Sequence, residues 1–287
     1  MKKYLLLLVV AMLANIGRAA VGDTFEYDEL NYTILSEDDR TVEVEMKDDP
    51  SGDLIIPAQV ANNGIRYSVT TIGDGAFYEC SGLTSVTIPH SVTTIGEAAF
   101  SSCSGLTSIA IPNSVTTIGP AAFGACRGLS AINVEKGSKY FSSEDGILYN
   151  KDMTALLQCP GAKTECAIPE TVTTIGNYAF GWCESLTSVT IPNSVTTIGD
   201  MAFYVCRGLT SVTIPKSVTL IGEEAFGLCP LVKVIDLNPS PQPIEDKDVF
   251  DGIADDAVLY VPEESIEVYK ATEGWSEFSD IRAMPTK

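Results

Sequence analysis

Histidine occurs once in this chain, at His90. That scarcity removes Ser-His and Cys-His nucleophile pairs and any histidine-rich metal site. The equivalent repeat positions hold Asn113, Glu170, Asn193 and Lys216, so His90 reads as a solvent-facing turn residue. Basic residues are few as well, with 18 Lys and Arg against 38 Asp and Glu. Such an excess of negative charge repels a phosphate backbone and excludes nucleic acid as a partner. Beyond residue 20 no apolar run is long enough to cross a bilayer, so the mature chain is expected to carry no transmembrane segment. The acidic clusters Glu37-Asp38-Asp39, Asp48-Asp49 and Asp255-Asp256 lack the alternating D-x-D-x-D-G spacing of a calcium loop and read as solvated surface. No pair of acids is singled out for glycoside hydrolysis, and no cofactor or metal site is indicated. An enzyme, in practice a hydrolase, is the least favoured reading.

What is present begins with an export signal over residues 1–19. Lys2 and Lys3 supply a positive start, Leu5 to Leu13 an apolar run too short for a membrane span, and Gly17-Arg18-Ala19 a small-x-small cleavage site. No cysteine follows to carry a lipid. The mature chain is expected to begin near Ala20; an uncleaved membrane anchor is the alternative. Without Lys2, Lys3 and Arg18 there remain 15 bases for 38 acids, a formal charge of −23. The charge is uneven. Residues 20–60 hold 12 acids and 2 bases, residues 61–238 hold 14 and 9, and residues 239–287 hold 12 and 4.

The middle is organised by a repeat. Ile72-Gly73-x-x-Ala76-Phe77-x-x-Cys80-x-x-Leu83-x-x-Val86-x-Ile88-Pro89 recurs from Ile95, Ile118, Ile175, Ile198 and Ile221. Phe77, Phe100 and Phe123 are 23 residues apart, as are Phe180, Phe203 and Phe226, but Phe123 and Phe180 are separated by 57, one period plus 34 residues. A unit this short cannot cover its own apolar side chains, so successive units must stack as coils of a solenoid. Val86 and Ile88 alternate with Ser85 and Thr87, as in a half-buried strand. Ala99-Phe100-x-x-Cys103 has the i, i+3, i+4 spacing of one helical turn. The glycines after each isoleucine (Gly73, Gly96, Gly119, Gly176, Gly199, Gly222) suit a corner where a side chain would clash or a positive φ is required. The fold class expected is an α/β repeat solenoid, a right-handed coil with a parallel β ladder, short helical turns, few long helices and capped ends.

The boundaries that follow are a β cap with a partial repeat (20–60), repeats (61–134), an inserted β-hairpin turning at Asn150 to Asp152 (135–167), further repeats (168–238) and an acidic C-terminal cap (239–287). Trp275, Phe278 and Ile281 are placed to close the last coil. A linker and separate domain after Pro239-Ser-Pro-Gln-Pro243 is the alternative.

The spacing I-G-x-x-A-F-x-x-C-x-x-L-x-x-V-x-I-P over Ile72 to Leu237 closely resembles the BspA-like leucine-rich repeats of bacterial surface proteins. The flanks resemble that family too, in the D-G-I-L-Y-N-K-D hairpin and in L-Y-V-P followed by Tyr269, Trp275 and Phe278. The resemblance implies a secreted or surface-exposed protein, typically from Bacteroidetes or other host-associated microbes, that adheres to host matrix proteins, host cells or other bacteria. It supplies no ligand residues to carry over. Cys159 and Cys166 depart from it, standing where such hairpins often carry aromatic residues.

Positions that vary between coils are free to specify a ligand. Tyr78 and Tyr204 directly follow their Phe, Trp182 follows its Phe by two, and Arg127 and Arg207 follow their Cys. Trp, Tyr and Arg are favoured contact anchors, although ordinary surface residues account for them as well. The repeated Cys80, Cys103, Cys126, Cys183, Cys206 and Cys229 read as packed free thiols more than as a disulfide ladder. Cys159 and Cys166 flank the turn Pro160-Gly161 and are a possible disulfide in an oxidising compartment. The leading expectation is a non-catalytic binding module for a protein ligand, a host matrix or bacterial surface protein. A glycan-binding protein stacking sugar on Trp182, Tyr78 and Tyr204 is the second, and a structural envelope component a third.

Overall fold

The computed structural model describes residues 20–244 and 247–285, so the expected export signal over 1–19 lies outside the described residues. The chain winds as a β-solenoid whose coils pair strands in parallel in two groups, up to Val134 and from Ala155 onward. One ladder is built from the Thr-Ile dipeptides, with Ile72 on Ile95 and Ile95 on Ile118, then Leu156 on Ile175, Ile198 and Ile221 in turn. The other ladder carries the alternating segments, with Ser108–Ile111 beside Ala131–Val134 and Glu165–Ala167 beside Ser188–Thr190. Val86 and Ile88 are buried while Ser85 and Thr87 are exposed, as alternation requires.

The column interior is a stack of parallel phenylalanine rings. Centroids lie 5.2 Å apart between Phe77 and Phe100, 5.9 Å between Phe100 and Phe123, 4.7 Å between Phe180 and Phe203, and 5.1 Å between Phe203 and Phe226, all within 10° of parallel. Phe250 extends the stack at 5.6 Å beyond the regular repeats. Offset stacking of this kind contributes roughly 0.5–1.5 kcal/mol per pair beyond the apolar area it buries.

The expected helical turn is a turn without a helix. Ala98 and Ser102 have φ of 50° and 64°, and the same left-handed pair flanks Ala-Phe in the other coils at Ala121 and Ala125, Tyr178 and Trp182, and Met201 and Val205. Left-handed backbone costs an L-residue roughly 1–2 kcal/mol, so something must hold it. What holds it is lateral bonding. The N–H groups of Ala98, Phe100 and Ser102 donate to the carbonyls of Pro120, Ala122 and Gly124 in the next coil at 3.0, 2.8 and 2.8 Å. A helical turn would aim these groups along the chain, whereas the stack supplies an acceptor for each one sideways.

The recurring glycines answer a clash, and their φ values are not positive. A Cβ at Gly96 would lie 2.6 Å from the Asp74 nitrogen, and one at Gly119 would lie 2.4 Å from the Glu97 nitrogen. The cysteines add a second bond to carbonyls of the preceding coil. Cys103 Sγ donates to Phe77 O at 3.1 Å, Cys126 to Phe100 O at 3.0 Å, Cys206 to Phe180 O at 3.1 Å and Cys229 to Phe203 O at 2.9 Å, each beside a backbone N–H on the same carbonyl. All eight cysteines are buried free thiols.

The ends are closed differently. Strands Thr24–Tyr27, Leu30–Ser36 and Thr41–Met46 form an antiparallel cap whose last member runs parallel to Ile65–Ile72, covering the first coil with Tyr32, Val42 and Val44. At the other end Val258–Val261 and Asp280–Ala283 continue the parallel ladder, and the short helix Ile266–Ala271 seats Tyr269. Trp275, fully buried, packs on Phe250 and Tyr269 and donates its indole N–H to Gln242 O at 3.0 Å. The segment after the prolines shares one hydrophobic core with the second group of repeats.

Candidate functional site

Between Phe123 and Phe180 lies the irregular part of the column. Phe141–Glu144, Ile147–Asn150 and Ala155–Gln158 form an antiparallel meander that lies along the solenoid, burying Ile147, Leu148 and Tyr149. Its last strand then enters the stack as a fourth coil, and this coil is short. Leu156 pairs with Ile175, 19 residues later; Cys159 N–H donates to Ala179 O at 2.7 Å as a phenylalanine N–H does elsewhere, placing it opposite Phe180 at 21; Cys166 pairs with Val189 at the full 23. Two dipeptides are therefore missing, one on each side of Cys159. They correspond to Asn177-Tyr178 and Gly181-Trp182 of the next coil.

The lateral ladder is interrupted on the side of the preceding coil: among the described residues, no backbone bond runs from the N–H groups of Ala121, Phe123 or Ala125 to the short coil, and the carbonyls of Asn177 and Gly181 accept none from it. Two recesses mark the places. The first, about 190 Å³, is lined by Ile118, Pro120, Ala121, Phe123, Leu148, Leu157, Gln158 and Asn177. The second, about 350 Å³, is lined by Tyr78, Glu97, Ser101, Ser102, Ala125, Arg127, Tyr178 and Trp182.

The second gap is partly closed by side chains. Trp182, held at a φ of 58°, brings its ring over Gly124, where an added Cβ would meet it at 3.5 Å. Its ring stacks on Tyr178 with centroids 5.9 Å apart and meets Tyr204 edge-on at 5.6 Å. Glu184 accepts Arg127 at 2.7 Å from across the short coil and lies 3.9 Å from Arg207. All five residues singled out from the sequence thus meet on one face, though not as free anchors. Tyr78 is 45% exposed and the two arginines are exposed, whereas Trp182 and Tyr204 are half-buried in an aromatic cluster. Sequence reasoning missed Tyr178 and Glu184, which lack a distinctive repeat position and are revealed only by the register of the short coil.

Cys159 and Cys166 sit inside that coil, both buried. Their mutual interaction holds the Cys159 thiol well above its usual value, with Cys183 and burial adding to the rise, and holds Cys166 below it, helped by Lys163. The remaining titratable features lie elsewhere. His90 is exposed, 3.5 Å from Glu135. Asp236, wholly buried in the last regular coil where Ile214 stands one coil earlier, is pushed up to about 6 by desolvation. No cluster of three or more metal-ligating side chains occurs among the described residues, and no helix there is long and apolar enough to cross a membrane.

Comparison with solved structures places the fold. A leucine-rich repeat protein from Eubacterium ventriosum is similar with a TM-score of 0.52 at 22% identity, covering 92% of this chain and 86% of that one. The pneumococcal vaccine antigen PcpA is similar at 0.49 and 19% identity (93% and 100% covered), and a leucine rich cell surface protein from Faecalibacterium prausnitzii at 0.47 and 20% (94% and 97%). No curated protein matches the chain. The BspA type leucine rich repeat region matches in six copies over residues 59–156 and 152–252, and the chain belongs to that family.

Proposed function

We propose that this is an exported, surface-exposed protein that binds protein ligands through the face around Trp182 and catalyses no reaction. The observation that carries this reading is the convergence of Tyr78, Arg127, Tyr178, Trp182, Tyr204 and Arg207, drawn from four different coils, onto one patch beside the short coil. Partly buried Trp and Tyr flanked by Arg have the composition of interface hot spots, and packing in a cluster lowers the entropy lost on binding. Adhesion to host matrix or bacterial surface proteins, and an origin in Bacteroidetes or another host-associated lineage, belong to the same reading.

Surface binding to a panel of matrix proteins and bacterial cells tests it. Trp182→Ala is expected to weaken a true ligand at least about 30-fold, the effect of losing one hot spot of ~2 kcal/mol. A panel with no ligand, or a ligand indifferent to Trp182, rejects the assignment.

Export also allows Cys159 and Cys166 to form a disulfide. Each thiol would give up one proton and one electron to a disulfide-bearing oxidant, which leaves as its dithiol. Peptide mapping of protein purified without reductant reads the bond directly, and free alkylated thiols at both positions would refute it.

A further inference from the structure

We infer that the second recess receives the guanidinium of an arginine presented by the protein ligand, whose docking surface is basic. The inference rests on the protein-binding reading of this face and names the chemistry that the face takes. In both groups of repeats the outer turns lie edge to edge. Gly75, Ala98, Tyr178 and Met201 each donate their N–H to the next coil at 2.8 to 3.0 Å. Over residues 74–79, 97–102, 120–125, 177–182, 200–205 and 223–228 these turns carry Asp74, Glu79, Glu97, Asp200, Glu223 and Glu224 and no Lys or Arg. Asp74 and Asp200 accept backbone N–H groups at 2.8 and 3.1 Å, which satisfies them without cancelling their charge. A face of one sign, on a chain whose formal charge is −20, attracts a basic partner surface and repels an acidic one.

Within that face the recess narrows the choice further. Glu97 and Arg127 are the charged residues that line it. Arg127 is compensated by Glu184 at 2.7 Å, whereas the Glu97 carboxylate meets no cation and no hydrogen-bond donor among the described residues. The same recess is lined by three aromatic residues: Tyr78 from the first coil, and Tyr178 and Trp182 from beyond the short coil. A carboxylate beside aromatic rings suits a flat cation, which can stack on a ring while its edge donates to the acid. Guanidinium has that shape and is weakly hydrated, while a lysine ammonium is a strongly hydrated point charge. An apolar side chain would cover Glu97 without giving it a partner, at a desolvation cost.

The test uses the full mature chain and capped glycine pentapeptides whose central residue is Arg, its neutral isostere citrulline, Lys or Glu. The chain has two tryptophans, so the indole N–H resonance of Trp182 reads the recess while that of buried Trp275 serves as an internal control. Titration with the Arg peptide should move the Trp182 resonance and leave Trp275 in place. Its binding should be about tenfold tighter than that of the citrulline and Glu peptides, tighter than that of Lys, and weakened by salt. Glu97→Gln changes an exposed side chain and should weaken the Arg peptide about tenfold, with its thermal melt unchanged. Equal binding of Arg and citrulline, preference for Lys, an unmoved Trp182 resonance, or indifference to Glu97→Gln would each overturn the proposal. On a protein ligand found by the surface panel, loss of binding in Trp182→Ala with Glu97→Gln harmless would reject the arginine and leave the face as the binding site.

Discussion

Arg127 and Glu184 form a 2.7 Å ion pair between residues 57 apart in sequence, spanning the short coil. The arginine side chain is 65% exposed. A pair so open to water is screened, and its net worth is below about 1 kcal/mol. Arg127→Ala is therefore expected to leave the chemical denaturation midpoint nearly unchanged. A large loss of stability would show that the short coil depends on this bridge more than on its apolar floor.

Two neighbouring positions in the third coil should respond with opposite signs. Gly119→Ala drives a Cβ to 2.4 Å from the Glu97 nitrogen, a backbone contact with nothing flexible to yield, and should destabilise by about 1–3 kcal/mol or more. Ala121→Gly relieves a left-handed alanine at φ 50° and should be neutral or stabilising by up to about 1 kcal/mol, since the relief is offset by the extra freedom of glycine when unfolded. Urea melts of the two variants make the comparison; equal destabilisation would contradict the account of both sites.

Cys103 tests whether the repeated thiol matters for its hydrogen bond. Cys103→Ala removes the 3.1 Å thiol bond to Phe77 O, which keeps the Cys80 N–H at 3.4 Å, and is expected to cost about 1 kcal/mol. Cys103→Ser restores a donor of similar reach and should recover part of that loss. If serine proves worse than alanine in equilibrium unfolding, the thiol serves as apolar filling alone.

Asp236 should give the C-terminal end a pH dependence. Its carboxyl sits at about 6 when folded against an ordinary value of 3.8, because burial disfavours its charge more than the Asn238 N–H at 3.0 Å and its Tyr269 and Gln242 neighbours favour it. The folded state thus holds the proton more tightly than the unfolded one. Stability from this group is present in full below pH 3.8 and is lost as pH rises to about 6, a change of at most about 3 kcal/mol. Asp236→Asn should raise the melting temperature at pH 7 and flatten this acidic window. A variant that melts lower at pH 7 would show that the carboxylate is held by bonds stronger than its desolvation penalty.

The 23-residue period, the inward Phe, Leu, Val and Cys positions, the stacking of coils and the two caps were all legible in the chain, because each depends on side-chain size and polarity at a regular interval. The local shape of the turn was not. Ala99 to Cys103 carries helical spacing, yet the N–H groups of Ala98, Phe100 and Ser102 bond laterally to acceptors that exist only once a neighbouring coil is present.

The candidate site shows the same division more sharply. Tyr78, Arg127, Trp182, Tyr204 and Arg207 stand out in sequence as departures from the repeat, but nothing in their numbering places them together. The 57-residue interval announces an irregularity without saying that its last coil is four residues short, or that the loss falls in two pairs around Cys159. Hydrogen-bond register alone decides which peptide units are missing, and so where the column opens, because backbone pairing is set by the neighbouring coil and not by the residues that happen to occupy it.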